Sequence, residues 1–246
     1  MAQALRAEWY NIDPADRPAF LGWLHGDYLP LLSEIAGVAW AGHYEIAEKA
    51  PAPASPSKSG APSRQETSDP SVPRGSQFVL LTAVTNLDVL LLPSSDLGCA
   101  ESDAAARLAI RKSWRDAVFV EEQCIEGPSN AAFPITAAPP AMQLGNFIVR
   151  SPAEERELAR YYRLHRFPQI AATAGCIRGR KLLSVAGWPK HGIFYEFTSM
   201  NESDELFETR FNNAISGKVW TGPHVLSYVV HAPNAPHAGR RIWPKT

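Results

Sequence analysis

The chain has 246 residues, with 24 basic against 25 acidic side chains and a formal charge of −1, a balance that leaves no broad electrostatic footprint for nucleic acid or an anionic membrane. No apolar run approaches bilayer-spanning length, and the opening MAQALRAEWYNID lacks the basic flank and apolar stretch of a leader, so a cytoplasmic protein with no membrane partner is expected. Cys99, Cys124 and Cys176 are odd in number, far apart and without metal-ligand spacing, which argues for reduced thiols and against a disulfide framework or a metal site.

A first strand is expected from roughly Leu5 to Ile12, followed by a helix that Asp13 caps and Pro14 and Pro18 open. Phe20, Trp23, Leu24 and Asp27 recur at helical spacing, which puts Asp27 on an apolar, core-facing stripe. Val38 to Glu48 alternates as a second strand and carries His43 and Tyr44. Neither His25 nor His43 has a partner that spacing reveals, and each is expected at the surface or a strand edge. Residues 51–76 are rich in Pro, Ser and Ala, contain no aromatic side chain and read as a flexible insertion between strands. QFVLLTAVTN is a third strand, LDVLLLPSSDLGCAE an irregular excursion, and 101–117 a second helix anchored by Leu108, Ile110 and Trp114. FVEEQCIEG closes this part, and 128–140 is a linker.

The second half repeats the order. GNFIVRS is a strand, 151–175 a helix, CIRGRKLLSVAG and HGIFYEFTSM paired strands, and NESDELFETRFNN a helix. HVLSYVVHAP is expected as the closing strand, and 234–246 as a proline-rich tail with Trp243 as its anchor. Sliding the N-terminal segment until Pro14 falls on Pro152 brings, without a gap, Ala15 onto Ala153, Pro30 onto Pro168 and Ala36-Gly37 onto Ala174-Gly175. Trp9 meets Phe147, Trp23 meets Tyr161, and Asp27 meets His165. This is read as an internal duplication, with repeats at 1–127 and 141–233. One such sheet has an open face, and a second copy covers it.

A strand, a helix with an aromatic residue, a polar residue and then a proline, the pair Ala-Gly and a second strand together resemble the dimeric α+β barrel superfamily, most closely its EthD-like members, with both copies fused in one chain. The resemblance covers most of the chain except about 51–75. It implies an α+β fold of tandem ferredoxin-like repeats whose antiparallel sheets form a barrel. It also implies a small-molecule enzyme without cofactor, a monooxygenase, isomerase or degradative enzyme acting on an apolar or aromatic organic compound, with a homodimer as a possible assembly. Two other functions stay open: a non-catalytic ligand-binding or assembly protein, and a haem-binding protein.

His165, on the second aromatic stripe, is the candidate acid/base, and a histidine packed at the sheet edge explains it equally. Relatives often carry a histidine shortly before a proline at this point, although the spacing here is His165-Arg166-Phe167-Pro168. Tyr161 and Tyr162 are candidate substrate walls or simply core residues. Arg178 and Arg180 project to one face of their strand and Lys181 to the other. The arginine pair either holds a substrate carboxylate or pairs with Glu196 across the hairpin. At the matching positions of the first copy stand Trp40 and Gly42, so the functional pocket is expected in the second.

Overall fold

Eight strands close into one antiparallel barrel in the computed structural model, which describes residues 4–47, 65–91, 103–200, 225 and 227–245. The first half contributes β1 (Ala4–Asn11), β2 (Val38–Ile46), β4 (Phe78–Val84) and β5 (Lys112–Glu126). The second contributes β6 (Ala141–Ile148), β7 (Cys176–Gly187), β8 (His191–Phe197) and β10 (His237–Trp243). Round the barrel the order is β1, β5, β7, β8, β6, β10, β2, β4 and back to β1. A short β3 (Gln65–Glu66) runs parallel to β9 (Val230–His231), which extends the edge of β6. The expected α+β class holds, with the barrel completed inside one chain.

Strand alternation divides the apolar residues between two layers. Leu5, Ala7 and Trp9 point into the barrel and pack with Trp40, Tyr44, Phe119, Leu144 and Phe194. Tyr10, Phe78 and Leu80 point outward, under a helix formed by α1 (Arg17–Trp23) and α2 (Leu29–Glu34). In the second half α5 (Pro152–Tyr161) and α6 (Phe167–Ala171) cover Phe147, Ile193, Tyr195 and Phe197. Ser151 caps α5 by accepting from the Glu154 N–H at 3.3 Å, and the Glu154 carboxylate accepts from the Arg150 N–H at 2.7 Å.

Each helix is joined through one π-helical turn, Leu24–Tyr28 in the first half and Tyr162–Arg166 in the second. The Leu29 N–H reaches the Leu24 carbonyl, and the Phe167 N–H the Tyr162 carbonyl. Pro30 and Pro168 follow these turns after one intervening residue, Leu29 or Phe167; a proline has no N–H to give and its ring crowds the carbonyl four residues back, so a wider turn relieves both conflicts. The helices then end before Gly37 and Gly175, whose φ angles of 94° and 74° suit glycine and turn the chain into β2 and β7.

The described structure departs from the sequence expectations in four places. The helix expected over 101–117 is only α4 (Ala104–Leu108), and Lys112 onward is β5, with Ile110 and Trp114 exposed. Pairing with β1 from Lys112 to Val120 overrides the local helical pattern. The tail 234–246 supplies β10, the strand that joins β2 to β6, because its backbone satisfies two otherwise open edges. Among the described residues of HVLSYVVHAP the strand is the two-residue β9, in place of the expected closing strand. Within the expected insertion, 65–76 is folded onto the body: β3 pairs with β9, Val72 is buried, and the Gly75 N–H bonds the Ser113 carbonyl at 3.1 Å. The rest of that segment, Cys99 and the helix expected at 204–213 lie outside the described residues. Two further short helices, α3 (Asp88–Leu91) and the turn at Asn130–Ala132, occupy the connections. Among the described residues no helix is long and apolar enough to cross a membrane.

Candidate functional site

The extra residue in each π turn rotates the remainder of the helix, so the inward position passes from Asp27 to Tyr28 and from His165 to Arg166. Asp27 and His165 are exposed, which corrects the expected core-facing stripe. His165 keeps its neighbour Tyr161, with ring centroids 6.3 Å apart. Tyr161 and Tyr162 are buried in an edge-to-face pair at 5.2 Å. Arg166 donates from Nε to the Tyr195 hydroxyl at 3.1 Å. Burial pushes the Tyr162 phenol well above its usual range, with Tyr195 and Tyr161 acting in the same sense.

Arg178 and Arg180 point into the barrel, on the face opposite Lys181. Arg178 donates from Nε to Glu196 Oε2 at 2.8 Å, and Arg180 from Nε to Glu196 Oε1 at 2.7 Å. Arg180 Nη1 also reaches Glu121 at 3.2 Å. The internal carboxylate of Glu196, fully buried, thus occupies the bidentate position that a substrate carboxylate would need. Lys181 points outward to Glu122. Trp40 and Gly42 face the interior at the matching positions, where a side chain on Gly42 would press on Ala138 and Tyr44.

Sequence reasoning did not find the group of polar residues under the first helix. The Tyr10 hydroxyl lies 2.7 Å from His43 Nε2, and His43 Nδ1 lies 2.8 Å from His25 Nε2. Tyr10 and His43 are 0 % exposed and stack 5.8 Å apart, enclosed by Phe20 and Phe78. His25 is half-buried at the outer end. Burial, then the neighbouring His25, holds His43 well below 6.5, so it is a neutral imidazole. Burial also lowers His25, with Lys245 adding to the shift. Burial raises the Tyr10 phenol well above 10.0. With both imidazoles neutral, the tautomers that leave His25 Nδ1 bare have His25 Nε2–H donating to His43 Nδ1 and His43 Nε2–H donating to the Tyr10 hydroxyl oxygen, so His25 Nδ1 is the acceptor nitrogen that faces outward. The arrangement repeats the logic of a base oriented by a second group and backed by a third. Its members are separated by 33 and 18 positions, so only the fold brings them together. The available signal was the outward phase of Tyr10 on β1 and of His43 on β2.

Beside this line, Glu8 accepts from Arg111 at 2.8 Å and from Trp114 at 3.2 Å, and Arg111 lies 5.4 Å from the Tyr10 ring centre. On the far side of Phe78 opens a cleft of about 820 Å³ lined by Arg17, Glu45, Gln77, Asn234, His237 and Arg240 among others. Among the described residues no cluster of three or more His, Cys, Asp or Glu has the geometry to hold a metal ion.

No family model and no curated protein matches this chain. Solved structures do. A Fusobacterium nucleatum protein named as a candidate monooxygenase superposes with a TM-score of 0.61 at 8 % identity, covering 98 % of this chain and 92 % of its own. An anthrone oxidase-like protein gives 0.58 at 9 % identity, covering 98 % and 91 %. A candidate chlorite dismutase gives 0.55 at 10 % identity, covering 98 % and 96 %. At such identities the likeness is one of fold, and the fold it shows is the ferredoxin-like α+β barrel, here closed within a single chain.

Proposed function

We propose that the chain is a small-molecule enzyme of the α+β barrel type that removes a proton from an acidic, flat aromatic compound, with His25 as the base, His43 as its orienting partner and Tyr10 as the buried end of the line. The observation that carries this reading is the Tyr10–His43–His25 chain, with its contacts of 2.7 and 2.8 Å beneath a π-helical turn. π turns inside helices are frequent at functional sites because they set side chains in positions a regular helix does not offer. His25, held neutral, is ready to accept a proton, and the charge of Lys245, felt at His25, favours the anion that forms. Trp243, which pairs with His43 across β10 and β2, and Trp23 supply aromatic surface nearby. The substrate class draws support from the neighbours' names, one of them anthrone oxidase-like. Such a carbanion reacts onward with dioxygen, one oxygen atom entering the product and the other leaving as water with the abstracted protons, so that no resident cofactor is needed, in line with the EthD-like resemblance. We also read the chain as two fused, diverged copies of one ferredoxin-like unit. The two π turns, and the left-handed Gly37 and Gly175, stand at the same offset that aligns Pro14 with Pro152.

The test is turnover of anthrone and a panel of phenols by the purified protein in air without added cofactor. The rate should be level above about pH 6.5 and fall on the acid side, as the base protonates. His25→Gln should lower kcat/KM by about 10²-fold or more. Absence of turnover across the panel, or an unchanged rate in His25→Gln, sinks the reading.

A further inference from the structure

On the inner face of the barrel, opposite the side that carries Tyr10, a cation stands without a counter-ion among the described residues. Arg115 is 5 % exposed, and its Nε and Nη1 have no hydrogen-bond partner among the described residues. Its Nη2 makes one long contact, 3.5 Å to Asn146 Oδ1. The guanidinium lies 3.9 Å from the centre of the Trp9 ring, whose own buried Nε1–H is likewise without a partner. Burial alone lowers this arginine to about 9, and no carboxylate among the described residues acts on it. The contrast with the other end of the barrel is plain, since there Arg178 and Arg180 share Glu196 and Glu121. A buried charge is ordinarily paired, and unpaired donors in a dry interior are strongly disfavoured.

We infer that this end of the barrel is a binding site for a small organic carboxylate, which Arg115 holds as a charge-assisted partner with the Trp9 N–H as a further donor. His237 borders both this site and the open cleft. His237, the first residue of β10, lines the cleft of about 820 Å³, lies 3.5 Å from Asn146 through its Nδ1 and stands 6.2 Å from the Trp9 ring. Trp9 and His237 present ring surfaces, which suits a flat acid such as an aromatic carboxylate. The segment 67–76 closes the neighbouring part of this end, where Gly75 packs on Ser113 and the Asn234 side chain reaches the Arg74 carbonyl at 3.5 Å. The site does not depend on the Tyr10–His43–His25 line, which lies on the other face of β1, and it holds whether or not that line is catalytic.

Isothermal titration of the full chain with benzoate, at constant ionic strength set by chloride, tests the inference. Wild type should bind saturably, with Kd below about 1 mM, and Arg115→Met should bind at least about tenfold more weakly. Without benzoate, Arg115→Met should melt at the same temperature as wild type or higher, because it removes an uncompensated buried charge. Should Arg115→Met not fold, Arg115→Lys keeps the charge without the planar fork and should still bind more weakly than wild type. No saturable heat with wild type, equal affinity in the variant that folds, or inorganic phosphate binding as tightly as benzoate would each overturn the assignment.

Discussion

His43 is the residue on which most depends, because it joins a buried phenol to a half-exposed base. In the unfolded chain its imidazole titrates near 6.5, while in the folded protein burial holds it well below that value. Between the two values the unfolded state binds a proton that the folded state does not. Stability present in full above 6.5 is therefore lost as pH falls, at about 1.4 kcal/mol per pH unit for one such group. Urea unfolding across pH 5 to 8 should show this slope, and His43→Gln should flatten it; a pH-independent midpoint in wild type contradicts the neutral buried imidazole. Glu196 offers a second test. Replacing it with Gln leaves Arg178 and Arg180 as buried cations with only Glu121 nearby, a loss of about 3–5 kcal/mol. A loss below about 1 kcal/mol would return the arginine pair to a ligand-holding role. That Arg178 and Arg180 share a face opposite Lys181, and that Glu196 lies across from them, was legible in the sequence because strand alternation and hairpin pairing are local rules. The histidine line was not legible, because a chain of contacts across three elements leaves no local period.

At the scale of elements, the strands of the repeat and the Ala-Gly helix ends were readable from alternation and from the need for a left-handed residue. The π turns were not. A proline inside a helical stretch signals strain without saying how the helix relieves it, and a single added residue is enough to turn His165 outward and Arg166 inward. The same limit applied to β5 and β10. Their local composition favours a helix and a loose tail, and only the open edges of β1, β2 and β6 convert them to strands. Deleting 237–246 should therefore expose the edges of β2 and β6 together. The expected outcome is loss of the cooperative melt and aggregation, monitored by light scattering. A truncated chain that melts like wild type would mean that β10 is not part of the barrel.

The whole molecule is one barrel to which both halves contribute four strands, so neither half completes its core alone. The inner layer is packed by Trp9, Trp40, Phe119 and Phe194, and the polar chemistry is pushed to the barrel ends and to the spaces beneath the helices. The sequence offers His165 in the second half as its candidate acid/base; the proposed function rests on Tyr10, His43 and His25 in the first. Turnover of anthrone by Tyr10→Phe and by His165→Ala, measured side by side with the fold of each checked by circular dichroism, separates the two most directly. The account predicts a loss of about tenfold or more in Tyr10→Phe and a rate within about twofold of wild type in His165→Ala. The reverse pattern, with His165→Ala inactive and Tyr10→Phe unchanged, would contradict it and return the site to the second half.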